Sequence, residues 1–174
     1  MQPPIPDYLA DILDHVRDDD GGQSADYIPE LRDADPNRLA LALCTTSGHV
    51  YSAGDGDVEF TIQSISKPFI YALALQELGA EAVDEVVGLE PSGEDFNELS
   101  LDDNDNRPVN PMINAGAIAV NQLINGEDSS VDDRVEKIRD LLSRLAGRDL
   151  TIDEELCNSE ILSADRNLSI AHML

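Results

Sequence analysis

The chain opens with apolar residues at helical spacing and then changes to the alternating pattern of strands. The spacing i, i+3, i+4, i+7 predicts an amphipathic helix with one face on a core, formed by Leu9, Ile12, Leu13 and Val16. The polar run 18–22 ends this helix. Its three aspartates lack the alternate-ligand spacing of a calcium loop, so a solvated link is predicted there and not a metal site.

A short antiparallel sheet is predicted next. Residues 39–46 and 50–53 are apolar runs separated by a turn at Ser47 and Gly48, which favours an antiparallel pair. Residues 27–31 are predicted to be extended. Val58, Phe60 and Ile62 alternate with polar residues and are predicted to continue the sheet towards position 63.

From position 64 onward the pattern is mainly helical. The run 69–78 leaves no wide polar face, which predicts a buried helix that Gly79 ends. Ser130 to Asp133 is a capping-box pattern ahead of an amphipathic helix that ends at Gly147, and the signature recurs at Thr151 to Glu154. The other predicted segments are helices within 83–87, 110–118 and 168–174, and loops at 90–93 and 101–107.

These elements predict an α/β (α+β) fold, with a short antiparallel sheet followed by a mainly helical region. A length of 174 residues suits one domain or part of a larger one. No apolar run has the length of a membrane span, and the first residues lack the pattern of a signal peptide, so we expect a soluble, cytoplasmic protein without a membrane partner. Cys44 and Cys157 form no CxxC pair, which favours reduced thiols.

The charge of the chain is strongly negative. Thirty-six acidic residues oppose 11 basic ones, the formal net charge is -25, and Lys67 and Lys137 are the only lysines. Molar salt shortens the Debye length to about 3 Å and removes most of the resulting self-repulsion. The composition therefore predicts a protein from a salt-accumulating halophile, with acidic solvation or a basic partner as the alternative. The sign of the charge disfavours binding to nucleic acid.

Ser64 and Lys67 are the candidate nucleophile and base. If the segment is helical, positions i and i+3 share a face, so the amine of Lys67 can lie over the hydroxyl of Ser64. Burial and the positive end of a helix dipole would disfavour the ammonium form and leave a base. The structural alternative is that the serines compete to cap the helix, and Ser66 is then the better N-cap.

Two further polar residues have both a structural and a functional interpretation. Asn110 and Asn114 stand where an apolar helix begins, so each can cap the helix or hold a polar group of a ligand. Taken alone, Glu160 is one more solvated acid among 36.

The sequence closely resembles the serine-dependent glutaminases, which share the fold of serine β-lactamases and penicillin-binding proteins. Five motifs occur in the family's order and approximate spacing. They are Tyr27-Ile28-Pro29, Gln63-Ser64-x-x-Lys67-Pro68, Glu90-Pro91-Ser92-Gly93, Asn110-Pro111-Met112-Ile113-Asn114-Ala115-Gly116-Ala117, and Ser159-Glu160 followed by Asp165-Arg166-Asn167. The resemblance favours Ser64 as a nucleophile over Ser64 as a cap.

The resemblance implies glutamine hydrolysis without a metal or organic cofactor. Ser64 would attack the side-chain carboxamide of L-glutamine, with Lys67 taking its proton, and water would release glutamate from an acyl-enzyme. The amide of Ser64 is the natural first donor to the oxyanion. The family further implies that Asn114, Glu160 and Asn167 hold the substrate, with Tyr27 and Gln63 close by.

Family members continue well past position 174, so the resemblance implies that the chain is the N-terminal part of a single glutaminase domain. Residues 1–63 would supply a helix and sheet strands, and residues 64–174 a mainly helical substrate-binding region. Later strands, further tyrosines and a second oxyanion donor are absent from this sequence, and a homo-oligomer is expected. The alternatives are a truncated, inactive fragment that binds glutamine or associates with full-length subunits, and another acyl-transfer hydrolase of the β-lactamase-like fold.

Overall fold

The computed structural model describes residues 4–95, 97–98, 100–102, 106–126 and 128–174. The chain forms two compact units, Met1–Thr61 and Ile62–Leu174. The described residues contain eight α-helices and one two-stranded antiparallel sheet, which confirms the mixed α/β class. None of the described helices combines the length and the apolar character that crossing a bilayer requires.

The N-terminal unit joins helix α1 (Ile5–Val16) to a β-hairpin. Leu9 and Leu13 are the buried residues of α1, as the apolar spacing predicts. The hairpin consists of β1 (Ala40–Cys44) and β2 (Val50–Gly54), paired antiparallel in the register that sets Ala42 opposite Ser52. Helix α1 packs mainly against β2.

Two expectations for the N-terminal unit are wrong. Residues 27–31 are not extended throughout, because helix α2 (Pro29–Arg32) begins at a proline, whose fixed φ suits the first turn. Residues 58–62 form no strand, although their pattern alternates, and the side chain of Phe60 is 81% exposed. Alternation describes a half-buried strand only where a partner strand is available, and the described sheet ends at β2.

The C-terminal unit begins with a 3-10 turn (Gln63–Ser66) that leads directly into helix α3 (Lys67–Leu78). Helices α4 (Ala80–Asp84) and α5 (Asn114–Leu123) pack against α3. One face of α3 is buried, but Phe69 and Leu78 are exposed, so the helix is less enclosed than its apolar composition predicts. The main core cluster contains Ile70, Leu73, Ala74, Val83, Val87, Val120 and Ile124.

The remaining helices are α6 (Val131–Ala146), α7 (Glu154–Leu162) and α8 (Asp165–Met173). Ser130 caps α6 by accepting the backbone N–H of Asp133, and Gly147 ends the helix with a left-handed conformation, as predicted. At α7 the capping residue is Asp153, which accepts the N–H of Leu156. The predicted capping signature from Thr151 is therefore wrong by two positions.

Candidate active site

Ser64 lies on the 3-10 turn that immediately precedes α3, and Lys67 is the first residue of the helix. The turn is closed by hydrogen bonds from the Ile65 amide to the Ile62 carbonyl, at 3.0 Å, and from the Lys67 amide to the Ser64 carbonyl. Both residues therefore lie on one continuous helical segment. Ser66 occupies the N-cap position of α3, as predicted, but its side chain makes no capping bond, because its own backbone is helical and its hydroxyl donates to the Gln63 carbonyl at 2.8 Å.

The backbone of Gln63, the first residue of this turn, is strained. Its φ is 45°, in the left-handed region that residues with a β-carbon rarely adopt. A left-handed conformation costs an ordinary L-residue about 1–2 kcal/mol. Such strain tends to occur at functional sites, and here it stands directly before the candidate nucleophile.

The side chain of Lys67 is held by two neutral acceptors. Its Nζ donates to the backbone carbonyl of Met112 at 3.0 Å and to Oδ1 of Asn114 at 2.8 Å. Burial lowers the pKa of Lys67 below its ordinary value, because desolvation disfavours the ammonium. In its neutral form the amine carries a lone pair that can accept a proton. The arrangement suits a base.

Asn114 links Lys67 to helix α8. It is the first residue of α5, and its Nδ2 donates to Oδ1 of Asn167 at 3.3 Å. Its side chain therefore serves the site and does not cap the helix, and the N-cap position belongs to Ile113. The turn-forming role falls to Asn110, whose Oδ1 accepts the amides of Met112 at 2.9 Å and Ile113 at 3.3 Å.

Gly116 allows the first turn of α5 to lie against this loop. A β-carbon at position 116 would come within 1.9 Å of the carbonyl oxygen of Asn110. That β-carbon could not be accommodated without moving the loop. The small residue in this motif therefore brings Asn110 and the segment after it close to the helix that carries Asn114.

A cavity of about 360 Å³ brings four of the predicted site residues together: Gln63, Ser64, Lys67 and Glu160. Its volume is within the range of small-molecule sites. Two larger cavities, of about 530 and 780 Å³, lie elsewhere in the same unit, and their linings include neither Ser64 nor Lys67. We take the smaller cavity as the candidate active site, because it is lined by the candidate nucleophile and the candidate base.

Sequence reasoning missed two contributors to this site. Asn121 lines the cavity, and its Nδ2 donates to the Ala117 carbonyl at 2.8 Å. The Met112 carbonyl is a backbone group, so no residue type indicates it. The small residues after Asn110 could have indicated that the loop and the helix approach each other closely there.

Tyr27 belongs to the N-terminal unit, where its side chain is 55% exposed, and its role stays a prediction.

Nothing in the described residues gathers three or more His, Cys, Asp or Glu side chains in a way that could hold a metal ion. The charged groups that line the candidate active site are Lys67 and Glu160. One is a base candidate and the other can receive a cation. Together with the amides of Asn114 and Asn167, the arrangement can activate a hydroxyl and orient a small zwitterion.

Comparison with known proteins gives one consistent family. The sequence profile of the family described as Glutaminase matches residues 22–174. A glutaminase from Corynebacterium glutamicum is 71% identical over 171 residues, which cover 98% of this chain and 41% of that protein. Glutaminase 2 from Bradyrhizobium diazoefficiens is 49% identical over 173 residues, covering 99% of this chain and 27% of that protein.

Solved structures agree with the sequence comparison. The crystal structure of Mglu in its native form is 53% identical with a TM-score of 0.91, and the match covers 99% of this chain and 42% of that one. A probable glutaminase is 38% identical with a TM-score of 0.87, covering 97% of this chain and 55% of that one. The chain thus spans about two fifths of the length of the Corynebacterium and Mglu proteins that it matches.

Proposed function

Because the chain belongs to the glutaminase family, we propose that it supplies the nucleophile, the base and part of the substrate-binding site of an enzyme that hydrolyses L-glutamine to L-glutamate and ammonia. The observation that carries this proposal is the position of Ser64 beside a lysine whose amine is held by Met112 and Asn114. The fold of its relatives, that of the β-lactamase-like glutaminases, is the fold adopted by this chain.

The proposed reaction has two steps. Ser64 Oγ attacks the carboxamide carbon of glutamine while the neutral amine of Lys67 takes the hydroxyl proton, and the backbone N–H of Ser64 donates to the oxyanion. The tetrahedral intermediate collapses when the proton passes to the leaving nitrogen, which departs as ammonia and leaves a γ-glutamyl ester on Ser64. Water then adds to the ester with Lys67 again as base, and collapse releases glutamate and restores the hydroxyl.

The substrate's own charges indicate how it would be oriented. The carboxylate of Glu160 is suited to the α-ammonium of glutamine, and the amides of Asn114 and Asn167 are suited to its α-carboxylate. Since Asn114 donates to Asn167, the two amides form a chain that directs donor groups to one end of the site. Gln63 lines the same cavity, and Tyr27 is proposed as a further contact. Mglu has been solved in a glutamate form, which supports an amino-acid ligand for this fold.

Three further properties are proposed along with the function. The composition supports operation at high salt, and Mglu has been solved in its native form in the presence of 4.3M NaCl. A cytoplasmic location and a homo-oligomer are proposed from the sequence pattern and the family.

The alternative for the isolated chain is binding of glutamine without hydrolysis, and it is favoured by the fact that the chain spans about two fifths of the Corynebacterium relative.

The test is release of ammonia and glutamate from L-glutamine in molar NaCl by the 174-residue chain, with Ser64→Ala as the variant. Ser169→Ala is the matched control, because Ser169 is an exposed helical serine that bonds the Asp165 carbonyl and does not line the cavity. We expect Ser64→Ala to abolish release and Ser169→Ala to retain it. Equal release by the wild type and Ser64→Ala would remove Ser64 from its role.

A folded chain without turnover is decided by a second measurement. Binding of glutamine would be followed by calorimetry in the wild type and in Glu160→Gln. Weaker binding in Glu160→Gln would support the binding alternative for the isolated chain. No binding by either protein would mean that the candidate active site, as this chain presents it, does not hold the substrate.

A further inference from the structure

Asn110 stands at the centre of the loop that supplies one of the two acceptors of Lys67. Its side-chain Oδ1 accepts the amides of Met112 and Ile113, and its Nδ2 donates to the Glu90 carbonyl at 3.0 Å. One amide side chain therefore binds its own loop on one side and a separate loop on the other. Neither the family comparison nor the proposed chemistry assigns a role to this residue.

The Asn110 side chain fixes the direction of a carbonyl group two residues away. An asparagine that accepts the amide two positions on forms an Asx turn, which restrains the intervening peptide units. The Met112 carbonyl emerges from this turn and accepts the Lys67 amine. The backbone of Asn110 is itself held, because its carbonyl lies against Gly116 with no room for a side chain there.

Other bonds anchor the same loop to the Glu90 segment. The amide of Glu90 donates to the Val109 carbonyl at 3.0 Å, and the amide of Gly88 donates to the Pro108 carbonyl at 2.8 Å. The bond from Asn110 to Glu90 continues this ladder into the turn. The rigidity of the paired segments therefore reaches the Met112 carbonyl through the Asn110 side chain.

We propose that Asn110 is a positioning residue for the base: it aims the Met112 carbonyl at the Lys67 amine and so fixes where the base stands beside Ser64. This inference rests on the proposed function for its catalytic consequence, but the geometric part can be tested without turnover. Asn110 touches neither the hydroxyl nor the amine in this arrangement and acts through Met112.

The chain offers a direct readout because it contains only two lysines, Lys67 and Lys137. A protein labelled with 13C at the lysine Cε gives two titrating NMR signals, which Lys137→Arg assigns. A carbonyl acceptor stabilises an ammonium more than a neutral amine, so removing it lowers the lysine pKa. We expect Asn110→Ala to move the Lys67 titration down by about half a unit to one unit, the equivalent of one hydrogen bond.

The matched control removes an acceptor from the other lysine. Lys137 donates to Asn125 Oδ1 at 3.1 Å, and Asn125 has a left-handed φ of 66° that glycine tolerates. Asn125→Gly should leave the Lys67 signal in place, because it removes an acceptor from the other lysine only. Measuring Asn110→Ala also in a Glu160→Gln background keeps the titration of the acid in the same cavity out of the comparison.

Rescue by a conservative variant separates positioning from general loosening. Asn110→Asp keeps an oxygen that can accept the Met112 amide, so it should restore the Lys67 titration to the wild-type value or slightly above it, since a negative charge is added. If Asn110→Ala does not fold, Asn110→Ser takes its place, because its short hydroxyl forms the turn only weakly. A folded Asn110→Ala or Asn110→Ser protein with an unchanged or raised Lys67 pKa would overturn the proposal, since the amine would then not depend on this acceptor.

The catalytic consequence is measured on the form of the protein that hydrolyses glutamine. Asn110→Ala should lower kcat by about 10- to 100-fold with KM changed less than about threefold, because a displaced base affects the chemical step more than binding. A change in KM alone would overturn the catalytic part of the proposal. So would an unchanged kcat in a variant whose Lys67 titration has shifted. If no form turns over glutamine, the proposed function fails while the NMR result still decides the geometry.

Discussion

Lys67 donates a 2.8 Å hydrogen bond to the side-chain oxygen of Asn114, and the two residues are the first residues of their helices, α3 and α5. The bond joins two helix N-termini that are 47 positions apart in sequence. It places the partly buried amine near two helix ends that favour negative charge. Burial and the helix ends both disfavour an ammonium, which is the condition under which a lysine can act as a base.

The activity should rise with pH through the pKa of Lys67. Burial lowers that pKa, so the neutral base is populated at a lower pH than for a free lysine, and the acidic limb of kcat/KM should mark it. Lys67→Arg stays protonated throughout and should lower kcat by about 10²- to 10⁴-fold at every pH. The measurement is the pH profile of the active form, and an arginine variant with the same acidic limb would contradict the assignment.

The strained backbone at Gln63 should reverse the usual order of alanine and glycine. In an ordinary helical position a protein with glycine is less stable than the same protein with alanine by about 1 kcal/mol. At a φ of 45° we expect Gln63→Gly to be more stable than Gln63→Ala by about 0.5–1.5 kcal/mol. Both variants lack the amide, so their difference in urea unfolding isolates the backbone. A more stable alanine variant would show that the position is not strained.

The start of α7 distinguishes two nearby residues. Asp153 accepts the Leu156 amide at 3.0 Å, so Asp153→Ala should lower the free energy of unfolding by about 1 kcal/mol. Thr151→Ala, the control, should change it by less than about 0.5 kcal/mol, because position 151 lies outside the helix. Urea unfolding of both variants checks this, and the reverse order would restore the capping signature that begins at Thr151.

Salt should stabilise the fold well beyond the millimolar range. The net charge of -25 produces repulsion that is screened as the Debye length falls from about 10 Å at 0.1 M to about 3 Å at 1 M. The urea midpoint should therefore rise with NaCl concentration. Replacing Asp18, Asp19 and Asp20 with asparagine should raise stability at low salt and reduce the dependence on NaCl. Equal stability in dilute buffer and molar salt would contradict the halophile interpretation.

The sequence predicted the local elements better than the contacts between them. Helix α1, the hairpin and the cap of α6 are encoded by spacing, turn residues and a serine three positions before an amide, all of which are local. The pattern at Phe60 was misleading because a strand also needs a partner, which no local pattern supplies. Ser66 holds the predicted N-cap position without a side-chain capping bond, because the 3-10 turn had already begun at Gln63.

The candidate site shows the same division. The i, i+3 spacing of Ser64 and Lys67 indicated a shared helical segment, and the structure brings both to one cavity with Glu160. The partners of Lys67 come from more than 40 positions away, and one of them is a backbone carbonyl. Long-range contacts of this kind depend on packing, so a single sequence indicated Asn114 as a cap or a ligand group without deciding between them.

The close approach at Gly116 limits how this sequence can drift over evolutionary time. A surface of interchangeable aspartates can vary widely, whereas any side chain at position 116 meets the carbonyl oxygen of Asn110. A saturation library should therefore lose every substitution at this glycine, although the residue has no chemical group to offer a substrate. Part of the motif that identifies the family is therefore required by packing. Its presence in a homologue would indicate a conserved fold and would not by itself indicate a conserved reaction.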